Sequence, residues 1–423
     1  MQFVHLTRET FDQFERSWPE STFWQTSAMA EYKQRQGCTV QYVGLEEDGT
    51  LLCASCIIGY KTVSNMMIYY ALRGFLIDHT NTDLLLYFIQ ELKKDLQSQK
   101  GIYLRFNPYV PYVERDKNGE LVEGGFNNQY IIDALVQAGC VHQGFTRGFD
   151  NTTEPRWMVV LDLKDKEAST ILKEMDQQTR WSVNRSLKYP IEIKTLKKEE
   201  YVLFKELLDE TSKRRGFESH SLSFFENMVD LFGEDTIEIV MAGLDIDRLY
   251  DSLIKEKEQY INEKIEIDAK LEACPNSKKF VKKLKVALEG IELTEKKLAE
   301  ANELKETCGS YIYLAGAMFI WKNKEVIYLL SASDDRYKKF MGPYAIQWRQ
   351  IQKALDLGVT RYNFYGTSGI FDKRADDYGV FEFKRGFNPH VEELIGDFEL
   401  VLDKKRDRMY RLMKIVQGFI RKS

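Results

Sequence analysis

Histidine is scarce in this chain: five copies, at positions 5, 79, 142, 220 and 390, in 423 residues. They stand too far apart for ligand-like spacing, so a zinc site has little to build on. Cysteine is nearly as rare, and Cys38, Cys53, Cys56, Cys140, Cys274 and Cys308 do not form the pattern of a disulfide framework. Cys53 and Cys56 have CxxC spacing but lie in Leu51–Tyr60, a run of β-formers. Strand positions i and i+3 face opposite ways, so the two sulfurs are expected in the core and not on one metal. Phosphate-loop, dinucleotide, zinc-protease and hydrolase-elbow signatures (G-x-x-x-x-G-K-[ST], G-x-G-x-x-G, H-E-x-x-H, G-x-S-x-G) are all missing. That removes many enzyme classes but not reactions driven by positioning and electrostatics. No run is long and apolar enough to span a bilayer. Met1–Glu9 has no apolar stretch after a basic start, so a reducing, cytoplasmic setting is expected. Nor is there a basic excess: net charge is −5, so any RNA contact must be a local patch.

What is present is a large core-forming fraction, 43% apolar and 13% aromatic, enough for two or three domains. Strands are expected at Thr39–Glu46, Leu51–Tyr60, Gly101–Phe106 and Trp157–Leu163, with helices at Thr82–Lys100 and Tyr130–Ala138. The grammar returns with a helix at Glu199–Arg214 and strands at Thr236–Gly243, Tyr311–Trp321 and Lys324–Ala332. A helix at Pro343–Leu357 and a strand at Thr360–Tyr365 follow. Between them, residues 245–307 are dominated by Lys, Glu, Leu and Ile. Ile246, Leu249, Leu253, Tyr260 and Ile267, then Val281, Leu284, Leu288, Ile291 and Leu298, repeat at heptad spacing around Pro275-Asn276-Ser277. An antiparallel coiled-coil arm is expected there.

Several strings remain: Phe23-Trp24-Gln25-Thr26-Ser27 leading to Lys33; Arg73-Gly74-Phe75; Arg105-Phe106-Asn107-Pro108-Tyr109; Thr211 to Phe217 around Arg214. Tyr362-Asn363-Phe364-Tyr365-Gly366 and Phe383-Lys384-Arg385-Gly386-Phe387 close the set. In this order they resemble the Fem family of peptidoglycan aminoacyltransferases, from about Phe23 to about Leu402. The resemblance implies an α/β (α+β) fold of two tandem acetyltransferase-like (GNAT) domains. These would span residues 1–160, and 161–244 with 308–402, the arm being inserted in the second. It implies aminoacyl-tRNA as donor. The acceptor would be the side-chain amine of the stem-peptide Lys in lipid II or UDP-MurNAc-pentapeptide, with no metal or organic cofactor. The missing [QR]-x-x-G-x-[GA] coenzyme A loop fits such a change of donor.

The same resemblance nominates Lys384 as the catalytic cation that stabilises the oxyanion or holds the tRNA 3′ end, with Phe383 packing beside it. Lys33 and Arg214 match positions that hold the acceptor's diphosphate. Arg73, Tyr109 and, less closely, Arg180 are further substrate-binding candidates, for which a plain salt bridge is the competing account of each arginine. Asn107 and Asn363 stand where relatives commonly carry Asp, and an amide cannot accept a proton as a base would. Asp372, Asp376 and Asp377 are expected to be solvated. Residues 403–423 hold eight Lys or Arg against two Asp, with Met409, Leu412, Met413, Val416, Phe419 and Ile420 at helical spacing. Such a helix suits anionic lipid at the inner membrane face or RNA phosphate, or docks on the second domain. The arm could meet tRNA, a partner transferase or a second copy. Two other readings of the chain are a transferase acting on protein amino termini and a non-catalytic interaction module.

Overall fold

The computed structural model describes residues 1–62, 65–149 and 154–420, the last five as backbone only. Among these residues the strands are β1 (Gln2–Leu6), β2 (Thr39–Glu47), β3 (Thr50–Lys61), β4 (Met67–Arg73), β5 (Gly101–Pro108), β6 (Pro111–Glu114), β7 (Cys140–His142) and β8 (Trp157–Asp162). They continue as β9 (Ile191–Thr195), β10 (Ile237–Asp245), β11 (Tyr311–Lys322), β12 (Glu325–Ser333), β13 (Arg361–Thr367), β14 (His390–Leu394) and β15 (Phe398–Val401).

They form two sheets, of order β1-β2-β3-β4-β5-β15-β7 and β6-β14-β8-β13-β12-β11-β10-β9. Each sheet is antiparallel except for one central pair, β4–β5 in the first and β12–β13 in the second. A parallel pair needs a crossover. The helix Thr82–Ser98 supplies the first, burying Leu84, Leu85, Phe88, Ile89, Leu92 and Leu96, with the Asn81 side chain capping its start. The helix Gly342–Asp356 supplies the second, burying Ile346, Trp348, Ile351 and Ala354. The two halves thus repeat one plan, as the spacing of their elements predicts.

The sheets also exchange strands. β6 leaves the end of β5 and pairs with β14 of the second sheet, whereas β15 returns to lie between β5 and β7 of the first. The expected divide at residue 160 runs through β8, a strand of the second sheet. Cys53 and Cys56 are buried in different apolar clusters, as opposite strand faces require.

Between β10 and β11 two helices, Ile246–Ala273 and Lys278–Cys308, run antiparallel, with cross-pairs Lys257–Glu295 at 2.9 Å and Lys305–Asp247 at 2.6 Å. Ile246, Leu249, Leu253 and Ile267 are buried, as their spacing predicts. The second helix differs from expectation. Val281 and Leu288 are exposed, and its buried positions are Ala287, Thr294 and Ala301. Small residues let the helix backbones approach. At Gly290 an added Cβ would lie 2.6 Å from the Tyr260 ring, so bulk from one helix is met by a gap in the other.

The helix Lys404–Ile420 packs Tyr410 and Met413 on Met66, Ile68, Ile102 and Tyr103 of the first half, and Arg411 pairs with Glu399 of β15. Met409, Leu412 and Ile415 are exposed. The side chains of Val416, Phe419 and Ile420, like residues Arg421 and Lys422, lie outside the described residues. Among the described residues no helix is long and apolar enough to cross a membrane.

Candidate active site

The two parallel pairs differ at one point. β4 and β5 stay paired through Arg73 and Pro108. β12 and β13 pair only at Glu325–Arg361, Val326–Tyr362 and Ile327–Asn363, and then part. The register of β13 against β8 shifts between Asn363 and Gly366, and Tyr365 takes a left-handed conformation with φ 65°. For a tyrosine that conformation costs roughly 1–3 kcal/mol. It is held by Asn363, whose Oδ1 accepts the Tyr365 N–H at 2.8 Å.

Leu329 and Leu330 on one tine of this fork and Tyr365 on the other line a cavity of about 690 Å³ between the two halves of the protein. The first half contributes Phe23, Trp24, Met29, Tyr32 and Lys33, carried by the helix Ser27–Arg35 and the turn before it. Thr26 caps this helix by accepting the Met29 N–H at 3.1 Å. The Lys33 ammonium lies 5.9 Å from the Trp24 ring centre and 5.7 Å from that of Tyr32. Burial pushes it below the usual lysine range, opposed by nearby acidic groups including Glu154. Lys33, Arg105, Arg147 and Arg156 line it together with Glu154 and Asp397. Arg105 and Arg156 pair with the buried Glu399 and Glu393, so attraction for an anion rests on Lys33 and Arg147.

Lys384 is on the short helix Tyr378–Arg385 that follows β13, and is only 5% exposed. Its Nζ donates to the carbonyl of Gly366 at 2.7 Å and lies 3.5 Å from that of Tyr365. It therefore grips the bulge behind the fork. Burial pushes its pKa down to about 7, opposed by Asp377. Phe383 packs on Tyr344 and Phe387 in the second core.

The other sequence candidates are dispersed. Arg73 is buried beside the cavity, donating to the Pro155 carbonyl at 2.6 Å with its guanidinium 5.7 Å above the Tyr109 ring. Asn107 accepts the Arg73 N–H at 2.8 Å. The Tyr109 hydroxyl sits among Glu325, Arg361 and Asn363 and faces a second cavity of about 540 Å³. Arg214 pairs with Asp335 at 3.1 Å and donates to the Ser333 carbonyl at the far end of β12. Arg180 donates to the Lys173 carbonyl on the outer face. Asp372 is exposed against Arg374, as expected, but Asp377 is not simply solvated: it binds the Ser368 N–H and hydroxyl and orders the turn after β13.

Sequence reasoning passed over Tyr365, Glu154, Arg147 and Arg156. Tyr365 stood inside a quoted string; Glu154 and the arginines had no motif to mark them. Among the described residues no cluster of His, Cys, Asp and Glu is arranged to hold a metal ion.

The profile of the FemAB family matches residues 6–415. The chain belongs to the FemAB family. Aminoacyltransferase FemA of Staphylococcus aureus is 31% identical over 422 residues, covering 99% of this chain and all of that protein. The fold matches a crystal structure of FemX with a TM-score of 0.81 at 24% identity, over 97% of this chain and 99% of that one. As a family member whose full-length relative is named an aminoacyltransferase, the chain is a transferase, on a mixed α/β fold of two sheets.

Proposed function

We propose that this protein moves an amino acid from aminoacyl-tRNA to the side-chain amine of the stem-peptide Lys of a peptidoglycan precursor, lipid II or its UDP-linked form. The observation that carries this reading is the cationic, aromatic cavity at the fork of β12 and β13. A diphosphate beside Lys33 would find a half-buried ammonium already ordered by two rings. The parted strands leave a slot between backbone edges where an ester could lie. This supports reading each half as an acetyltransferase-like domain in which the second does the chemistry.

Lys384, behind the bulge, either aligns the slot's carbonyls or turns its ammonium toward the oxyanion once substrate is bound. Arg73 orders the cavity wall. Arg214 and Arg180 would meet substrate only where it extends beyond the cavity. We read the helical pair as a coiled-coil arm, and the exposed Met409, Leu412 and Ile415 between basic residues as a contact with anionic lipid at the cytoplasmic face. Deletion of residues 409–423 should then abolish flotation with anionic liposomes, and unchanged flotation would end that part of the reading.

The central test is transfer of radiolabel from a pool of aminoacyl-tRNAs to purified lipid II, with wild type and Lys384→Ala in parallel. Label in lipid II that Lys384→Ala loses supports reaction and site together. No label from any donor, on either a bare or a singly branched precursor, would refute the reaction.

A further inference from the structure

Among the described residues two acidic groups line the cavity, Glu154 and Asp397, and Glu154 is the one bonded to the fork, a placement the anion-binding reading does not use. Glu154 lines the cavity, and its carboxylate accepts a hydrogen bond from the Tyr365 hydroxyl at the fork. Burial pushes the Tyr365 phenol well above its ordinary range, so it remains an O–H donor. Both partners are held in place. Tyr365 is fixed by its N–H bond to Asn363 and, through the carbonyls of the bulge, by Lys384. Beside Glu154, the Pro155 carbonyl is held by Arg73, and the Pro155 ring lies against Gly366, where an added Cβ would come within 2.5 Å of it. A carboxylate anchored this firmly between strand bulge and aromatic wall is a built feature of the cavity.

Other acids near the fork are committed elsewhere. Asp377 orders the turn after β13, Glu325 and Glu392 face the second cavity with Arg361, and Asn107 and Asn363 carry no charge. We propose that Glu154, positioned by Tyr365, is a subsite for a primary ammonium of the substrates. This rests on the transfer reaction proposed above. Two substrate groups share that chemistry: the side-chain ammonium of the acceptor Lys and the α-ammonium of the donor aminoacyl ester. Glu154 accepts N–H bonds from the ammonium while Phe149, Trp24 and Tyr365 supply aromatic surface for the attached methylenes. Lys33, held over the Trp24 and Tyr32 rings, provides the cation for the anionic part of the same substrate.

Equilibrium binding tests this without requiring turnover. Dissociation constants of UDP-MurNAc-pentapeptide and of its ε-N-acetylated form are measured with wild type, Glu154→Gln and Tyr365→Phe. Aminoacyl-tRNA and N-acetyl-aminoacyl-tRNA are measured beside them. A charge-assisted bond predicts that Glu154→Gln weakens one amine-bearing ligand by about tenfold to a hundredfold. The acetylated counterpart should be unaffected. Tyr365→Phe keeps the carboxylate and should cost the same ligand less. Loss confined to the pentapeptide assigns the subsite to the acceptor, and loss confined to the charged tRNA assigns it to the donor. Equal loss with free and acetylated amines, or no loss with either, overturns the proposal. Absence of label transfer by a wild type that still discriminates the free from the acetylated amine would instead count against the reaction alone.

Discussion

Replacing Lys384 by Met removes the ionisable group and keeps an unbranched side chain of similar length. In the folded protein burial holds this amine at about 7 instead of its usual 10.5. The sign follows from proton counts. Below pH 7 folded and unfolded chains both carry the proton, and the fold bears the full cost of a buried ammonium. Between about 7 and 10.5 the unfolded chain keeps the proton and the folded one releases it, so stability rises with pH. At about 1.36 kcal/mol per pH unit, wild type should gain about 2.5 kcal/mol between pH 6.5 and 9 from this group alone. Lys384→Met should lack that gain. Urea unfolding of both proteins at the two pH values gives the four midpoints needed, and equal slopes show that the compactness of the unfolded chain is unchanged. The wild-type minus variant difference should move in favour of wild type by roughly 2–3 kcal/mol as pH rises. A difference that stays constant would refute the reasoning, because it would mean that Lys384 keeps its proton throughout.

Lys33→Ala removes the ammonium held over Trp24 and Tyr32. It should raise KM for the precursor about tenfold or more with a smaller change in kcat, and Lys33→Arg should recover part of the loss; initial rates at varied precursor decide it. Arg180 serves the Lys173 carbonyl away from the cavity, so Arg180→Ala should transfer label within about twofold of wild type, and a larger loss would place substrate on the outer face. Glu392 is buried, which favours its neutral form, but Arg361 at 2.8 Å overrides this and holds it down at about 2. Its contribution is complete above about pH 4.5 and disappears as pH falls toward 2. Glu392→Gln should cost roughly 1–3 kcal/mol at neutral pH, because Arg361 is partly exposed and keeps Glu325, and its acid-unfolding curve should lose the wild-type step.

Much of the architecture was legible because it rests on local chemistry. Apolar spacing at Leu84, Leu85, Phe88, Ile89 and Leu92 sets a helix face whatever lies around it. The inserted helical pair was legible for its first helix, whose buried face is made of large apolar residues. The second helix misled at Val281 and Leu288, because which of two neighbouring stripes is buried depends on the partner that covers it. Composition, strand polarity of the cysteines and the ordered strings all act through neighbours along the chain, so the sequence alone determined the α/β alternation, the inserted helical pair and the family. The exchange of β6 and β15 between sheets, the parting of β12 and β13, and the meeting of Lys33, Tyr365 and Glu154 join segments that are separated along the chain by whole elements or more. No local pattern encodes such encounters. They are decided by which edges and faces remain unpaired once the two sheets pack, and so only the tertiary structure placed the carboxylate at the fork and the lysine behind it.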